Sequence, residues 1–281
     1  MAEQDLQAIC CHLVDVAREA GGVIQSARPT LAMPAEKKNT ADIVTETDKA
    51  VENLIRRRLA RAYPTFHFVG EESYALGQQQ PITDAPTFVV DPIDGTSNFV
   101  HGFPDVAVSI GLVVGRRPCV GVVYNPFQDE LWTGVRGHGA FVTLRAAAVA
   151  ARRAAPPAGG PSPTGRPADG VHRHRVGQRP RGPQLRAEPA RLHDARAHGG
   201  HGLWECGCWA WDVAAAWAIL AEAGGRMVDG HPGGWDPPVD NRRYLAVRPA
   251  ATEDGQRAFV EAFWRTMGDA RSTYGPASPA K

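Results

Sequence analysis

No apolar run in this 281-residue chain is long enough to cross a bilayer: the longest, Val213 to Ala221, falls far short of the ~20 residues a membrane helix needs. The start of the chain lacks the basic residues of a signal peptide and carries Glu3 and Asp5, so a cytoplasmic location is expected. Cysteine is sparse. Cys10, Cys11, Cys119, Cys206 and Cys208 form an odd, scattered set without a C-x-x-C pair. That argues against a zinc site or a disulfide framework and predicts reduced, mostly buried thiols. A strong charge of either sign is also missing, since 31 Lys and Arg face 30 Asp and Glu. What remains, 43% hydrophobic and 22% charged, describes a globular chain of one or two domains with a sizeable core.

One stretch lacks far more. Residues 145–202 contain no aromatic residue and no Ile, Met, Cys, Lys or Asn, while eleven arginines face only Asp169, Glu188 and Asp194. Ala, Arg, Pro, Gly and His follow no helical or strand period there, so the segment is expected to be irregular or disordered. Three readings fit: a natural insert, an arginine-rich nucleic-acid tract, or translation of a shifted reading frame. The last accounts best for the composition and for the abrupt return of patterned sequence at Leu203. The nucleic-acid reading fails for want of aromatic residues to stack on bases, so no nucleic-acid partner is expected. His172-x-His174 has no third ligand in pattern and makes a poor metal site.

Outside that stretch the pattern is clear. Leu6, Ile9, Cys10, Leu13, Val16, Ala17, Ala20 and Ile24 recur at three- and four-residue steps and predict an amphipathic helix over 4–26. A second helix is predicted from about Asp48 to Tyr63, capped by Thr45 or Thr47 and stopped by Pro64. Strands are predicted at 66–70, 87–91, 106–114, 119–124, 130–135 and 140–143, the last four forming an antiparallel meander. An Ala-rich helix at 212–222, strands near 226–228 and 244–247, and a helix at 253–267 complete the chain. Residues 1–144 thus read as an N-terminal α+β subdomain, 145–202 as an atypical segment, and 203–281 as the rest of a C-terminal α/β subdomain.

The chemistry concentrates at Thr87–Asn98. An apolar strand delivers Asp91 and Asp94 onto a turn where Pro92 is expected to end the ladder. Two carboxylates held so close repel unless a cation joins them, and all-oxygen donors suit hard ions such as Mg²⁺, Mn²⁺ or Ca²⁺. Gly95 permits close backbone approach, and Thr96, Ser97 and Asn98 are types that leave N–H groups free for an anion. Further acids sit at element ends: Glu71 and Glu72 after a strand, Asp42 and Asp48 around a Thr-rich loop, and Asp212 opening the Ala-rich helix. His101 follows the phosphate turn without an acid or base partner and reads as structural.

Taken together, Asp42-Ile43-Val44-Thr45-Glu46-Thr47-Asp48, Gly70-Glu71-Glu72-Ser73, Asp91-Pro92-Ile93-Asp94-Gly95-Thr96-Ser97-Asn98-Phe99-Val100-His101 and Trp211-Asp212-Val213-Ala214 resemble the four blocks of the inositol monophosphatase family, in order and spacing. The resemblance implies a layered αβαβα sandwich of the α+β class, usually dimeric, and a lithium-sensitive, Mg²⁺-dependent phosphatase acting on inositol monophosphates. It implies that Glu71, Asp91 and the Ile93 carbonyl hold one ion, that Asp91, Asp94 and Asp212 hold a second, and that a third, weaker ion shares Glu71. It also implies that Gly95 and Thr96 bind the phosphate, that Thr96 and Asp48 orient the attacking water, and that Glu205 accepts a substrate hydroxyl. Lys37 stands where the family places a basic residue on a mobile loop. The family's Gly-Ser/Thr-Ala-Ala turn, expected between Thr143 and Leu203 as one wall of the substrate pocket, is missing, which predicts low or no activity. Two other functions stay open: a phosphatase for another small sugar or nucleotide phosphate, and a catalytically silent binding or regulatory relative.

Overall fold

The computed structural model describes residues 3–27, 40–75, 77, 80–144, 152–153, 202–250 and 252–268. Its larger sheet runs in order from β1 (His67–Gly70) through β2 (Thr87–Asp94), β3 (Ala107–Val114), β4 (Arg117–Asn125), β5 (Glu130–Val135) and β6 (Gly139–Leu144) to β7 (Arg152–Arg153). Among the described pairs of this sheet only β1–β2 is parallel; β3 to β6 form the predicted antiparallel meander, which the antiparallel β2–β3 and β6–β7 pairs extend at either side. One expectation needs correction: Pro92 does not end its strand. The β2–β3 pairing shifts register between Asp91 and Asp94, so Pro92 sits in an irregularity where no ladder N–H is required, and the strand continues to Asp94.

Helix α1 (Glu3–Ser26) packs on β3 and β4 and buries all eight residues of the predicted stripe, none more than 8% exposed. Each fully buried aliphatic side chain contributes ~1.5–3 kcal/mol. Helix α2 (Thr40–Ala62) lies beside it against β2 and starts well before the predicted Asp48. Neither Thr45 nor Thr47 is a cap; Thr47 and Asp48 are buried within the helix. Packing of Val51, Ile55 and Leu59 against the sheet outweighs the weak helix propensity of the Thr-rich turn before them.

On the other face of the sheet lies α5 (Ala210–Glu222), which follows the short helices α3 (Glu71–Ala75) and α4 (Thr96–Val100) in the chain. Its fit depends on missing side chains. A methyl group on Gly111 would sit 2.9 Å from the Ala214 Cβ, and one on Gly134 would sit 2.6 Å from the Ile219 Cα. Gly121 faces the Ala215 carbonyl still more tightly, so helix and sheet meet backbone to backbone.

Beyond α5 stands a smaller antiparallel sheet ordered β8 (Gly202–Cys206), β10 (Arg243–Val247), β9 (Arg226–Asp229). Strand β8 was not anticipated. The last layer is α6 (Glu253–Met267), whose Thr252 side chain accepts the Gly255 N–H at 3.1 Å and whose Phe259, Val260, Phe263 and Trp264 pack on Val228, Leu245 and Val247. The sequence of layers is the expected αβαβα sandwich. All five thiols are free, but only Cys10 and Cys119 are buried; Cys206 and Cys208 are half-buried and Cys11 is exposed, which corrects the expectation of a mostly buried set. The expectation for 145–202 lies outside the described residues, apart from Arg152, Arg153 and Gly202.

Candidate active site

Five acids approach one another where the ends of β1 and β2 meet α2 and the start of α5. Glu71 opens α3 directly after β1, Asp91 and Asp94 close β2, Asp48 projects from α2, and Asp212 lies in the first turn of α5. Asp91 is 3% exposed and Asp48 is 5% exposed. The protonation behaviour of the acids records their crowding. Burial, then Glu72, Glu71 and Glu52, push Asp48 up to about 8. Burial, then Asp212 and Glu72, push Glu71 up to about 7, against a hydrogen bond with Asp91 that lowers it. Asp91 rises well above the carboxylate range because it is buried and faces Glu71, Asp94, Asp212 and Asp48. Lys49 partly offsets the rise that burial and Glu52 cause at neighbouring Glu72. Crowded, desolvated anions of this kind are stabilised by a cation.

The second half of the site is the turn after β2. Gly95 has φ 95° and ψ 37°, and a Cβ there would meet the Asp105 carbonyl at 2.8 Å, so both conformation and space require glycine. Thr96 follows as the first residue of α4, where helix geometry leaves N–H groups without an intrahelical acceptor. The Thr96 hydroxyl donates to the Ile93 carbonyl at 3.1 Å, and the Asn98 amide donates to the Asp105 carbonyl at 2.7 Å, tying the turn to the β3 approach. His101 packs its Nδ1 against the Ser97 carbonyl at 2.6 Å, a local contact in keeping with a structural role.

Could these residues hold divalent ions? The donors are carboxylate and carbonyl oxygens, mutually repelling and largely shielded from water, which is the chemistry hard cations require. Among the described residues no three His, Cys, Asp or Glu side chains close around a single point. Two of the acids are engaged locally: one Asp212 oxygen accepts the Trp209 N–H at 2.7 Å, and Asp91 accepts the Ile93 N–H at 3.1 Å. The all-oxygen, mutually repelling donor set still has the chemistry that a divalent ion requires.

Glu205 lies on β8 opposite Tyr244. It belongs to the same electrostatic neighbourhood, because Cys208 is raised by Asp212, Glu205 and Asp94 after burial itself. Lys37 lies outside the described residues. Sequence reasoning missed Glu52, which is 3% exposed and accepts the N–H groups of Glu72 at 2.8 Å and Ser73 at 3.0 Å. The signal was present: Glu52 sits four residues after Asp48, between the apolar Val51 and Ile55 face and Arg56.

Comparisons with known proteins show what the chain is related to. The profile of the inositol monophosphatase family matches residues 5–267. The chain is 38% identical over 255 residues to inositol monophosphatase 2 of Saccharomyces cerevisiae, covering 82% of this chain and 84% of that one. It is 35% identical to inositol monophosphatase 1 of the same yeast, covering 94% and 97%. Among solved structures, inositol monophosphatase II of Staphylococcus aureus MSSA476 superposes with a TM-score of 0.64 at 22% identity over 93% of this chain and 99% of its own, a likeness of fold. With the layered sandwich, the acids gathered at its strand ends and the match along nearly its whole length, the chain belongs to the inositol monophosphatase family.

Proposed function

We propose that the protein hydrolyses inositol monophosphates to inositol and phosphate with Mg²⁺ as cofactor. The observation that carries the reading is the convergence of Asp48, Glu71, Asp91, Asp94 and Asp212 beside the Gly95–Thr96 turn. In this reading Glu71, Asp91 and the Ile93 carbonyl would hold one ion; Asp91, Asp94 and Asp212 would hold a second; and a third, weaker ion would share Glu71. When bound, such ions acidify water and neutralise the charge of a phosphate monoester. Gly95 and Thr96 present backbone N–H groups to the phosphate. Asp48 and the Thr96 hydroxyl orient the attacking water. Glu205 accepts a hydroxyl of the inositol ring, and Lys37 completes the substrate contacts.

We expect the working form to be a lithium-sensitive homodimer in the cytoplasm; among the described residues no helix is long and apolar enough to cross a membrane. The test is release of phosphate from inositol 1-phosphate by the purified chain with Mg²⁺, with EDTA, and with other sugar and nucleotide phosphates in place of the substrate. Metal-dependent release greatest with inositol 1-phosphate supports the assignment. Preference for another ester would redirect it to a different small phosphate, and metal binding without release would make the chain a silent relative.

A further inference from the structure

Glu52 is a buried acid that the proposed reaction does not use. Its carboxylate is shared three ways: Oε2 accepts the Glu72 N–H at 2.8 Å, Oε1 accepts the Ser73 N–H at 3.0 Å, and Arg56 one turn along α2 donates to Oε1 at 3.1 Å. Both N–H groups belong to the first turn of α3, which begins at Glu71. Gly70, the last residue of β1, keeps that space open, because a Cβ there would run into the Glu52 carboxyl group. Arg56 continues the chain of contacts by laying its guanidinium 4.6 Å from the ring centroid of Phe68 in β1. One carboxylate thus joins α2, β1 and α3 at the residue from which Glu71 departs.

We propose that Glu52 is a positioning residue that aims Glu71 at Asp91 and thereby sets the divalent-ion affinity of the site, without touching ion or substrate. The inference rests on Glu71 being a metal ligand. Burying a full charge to hold two amides is costly compared with a neutral cap, and it is sustained here by three charge-assisted hydrogen bonds. Such a pairing fixes direction more narrowly than a hydroxyl cap does. Groups that orient metal ligands in this way alter metal affinity by ~10–100-fold when they are replaced.

The experiment compares the full-length wild type with Glu52→Gln and Gly70→Ala. Mn²⁺ binding is followed by loss of the free-ion electron paramagnetic resonance signal, alongside thermal unfolding and the Mg²⁺ dependence of phosphate release. Glu52→Gln can satisfy one amide but not both and loses the Arg56 pair, so its Mn²⁺ dissociation constant should rise by roughly tenfold, with kcat at saturating Mg²⁺ changed by less than about threefold. Gly70→Ala displaces the same carboxylate from the opposite side and should give the same split, and it answers the question even where Glu52→Gln does not fold. Glu52→Asp, which keeps the charge, should recover part of the affinity. A lowered unfolding temperature with unchanged Mn²⁺ affinity in the folded variants overturns the proposal and leaves Glu52 a simple cap. Absence of Mn²⁺ binding by the wild type overturns the metal reading of the site as well, so the two failures are distinguishable.

Discussion

Arg242 holds Gly207 from both sides: its backbone carbonyl accepts the Gly207 N–H at 2.8 Å, and its Nη2 donates to the Gly207 carbonyl at 2.7 Å. The same guanidinium lies 3.7 Å from the centroid of the Trp209 ring. This double tie fastens the connection between β8, which carries Glu205, and α5, which carries Asp212. Arg242→Ala should therefore cost ~1–3 kcal/mol in stability and raise KM for inositol 1-phosphate by about tenfold with a smaller change in kcat. Arg242→Lys should rescue little, because an ammonium cannot both stack on the ring and hold the fork geometry. Steady-state kinetics with a melting curve for each variant checks this.

The crowded acids predict an inverted pH response for the metal-free protein. Asp48 and Glu71 titrate at about 8 and about 7 in the fold, against ordinary values of 3.8 and 4.5. At these two acids the folded state therefore binds protons more tightly than the unfolded chain; their contribution to stability is full below pH ~4 and is lost as pH rises through 7 to 8. In EDTA the unfolding temperature should drop by ~5 °C or more between pH 5 and pH 8. Mg²⁺ at 100 times its dissociation constant should restore ~2.7 kcal/mol at pH 8 and less at pH 5, where protons compete for the same oxygens. A metal-free unfolding temperature that stays level or climbs over this range would contradict the crowding.

Asp91→Asn should separate activity from stability. The amide can still accept the Ile93 N–H, while an acid whose ionisation is opposed by burial and by four other acids is removed. The variant should lose metal-dependent turnover by on the order of 10²-fold or more, since it removes a ligand shared by both proposed ions. In EDTA at pH 8 it should melt higher than the wild type, the expected cost of a functional site relieved.

Two glycines should respond in opposite directions to the same added methyl group. Gly121→Ala drives a Cβ into the Ala215 carbonyl and should destabilise by ~2–3 kcal/mol. Gly22→Ala, on the exposed side of α1 with nothing within 4 Å, should stabilise by ~0.5–1 kcal/mol. Thermal or urea unfolding of the pair decides both.

The absence of a Gly-Ser/Thr-Ala-Ala motif between Thr143 and Leu203 predicts a gain by replacement. A chain in which 145–202 is exchanged for a family-like segment with its Gly-Ser/Thr-Ala-Ala turn should release phosphate from inositol 1-phosphate faster than the present chain. Equal turnover would show that the segment does not limit activity.

Sequence pattern carried the fold wherever burial followed a period, as in the α1 stripe and the meander from β3 to β6. Of the acids it singled out, Glu71, Asp91, Asp94 and Asp212 lie at or near element ends, whereas Asp48 lies within α2. It failed where non-local contacts decide. β8 is five residues long and exists by pairing with β10, some forty residues on. The passage of β2 through Pro92 depends on an irregularity in pairing that only the partner strand reveals. Helix α2 starts early because neighbours bury Thr47 and Asp48, and Glu52 gains its meaning from amides twenty residues downstream.

The glycine seam beneath α5 has a consequence for how the family's chemistry can be adjusted in this chain. With Gly111, Gly121 and Gly134 pressed against its backbone, the helix bearing Asp212 has no room to slide, tilt or accept a larger neighbour. Glu71, by contrast, departs from a five-residue helix tied to α2 through the Glu52 carboxylate. One wall of the site is an anvil and the other is adjustable, so variants selected for altered ion preference should accumulate on α2 and α3 while α5 and the strands under it stay fixed.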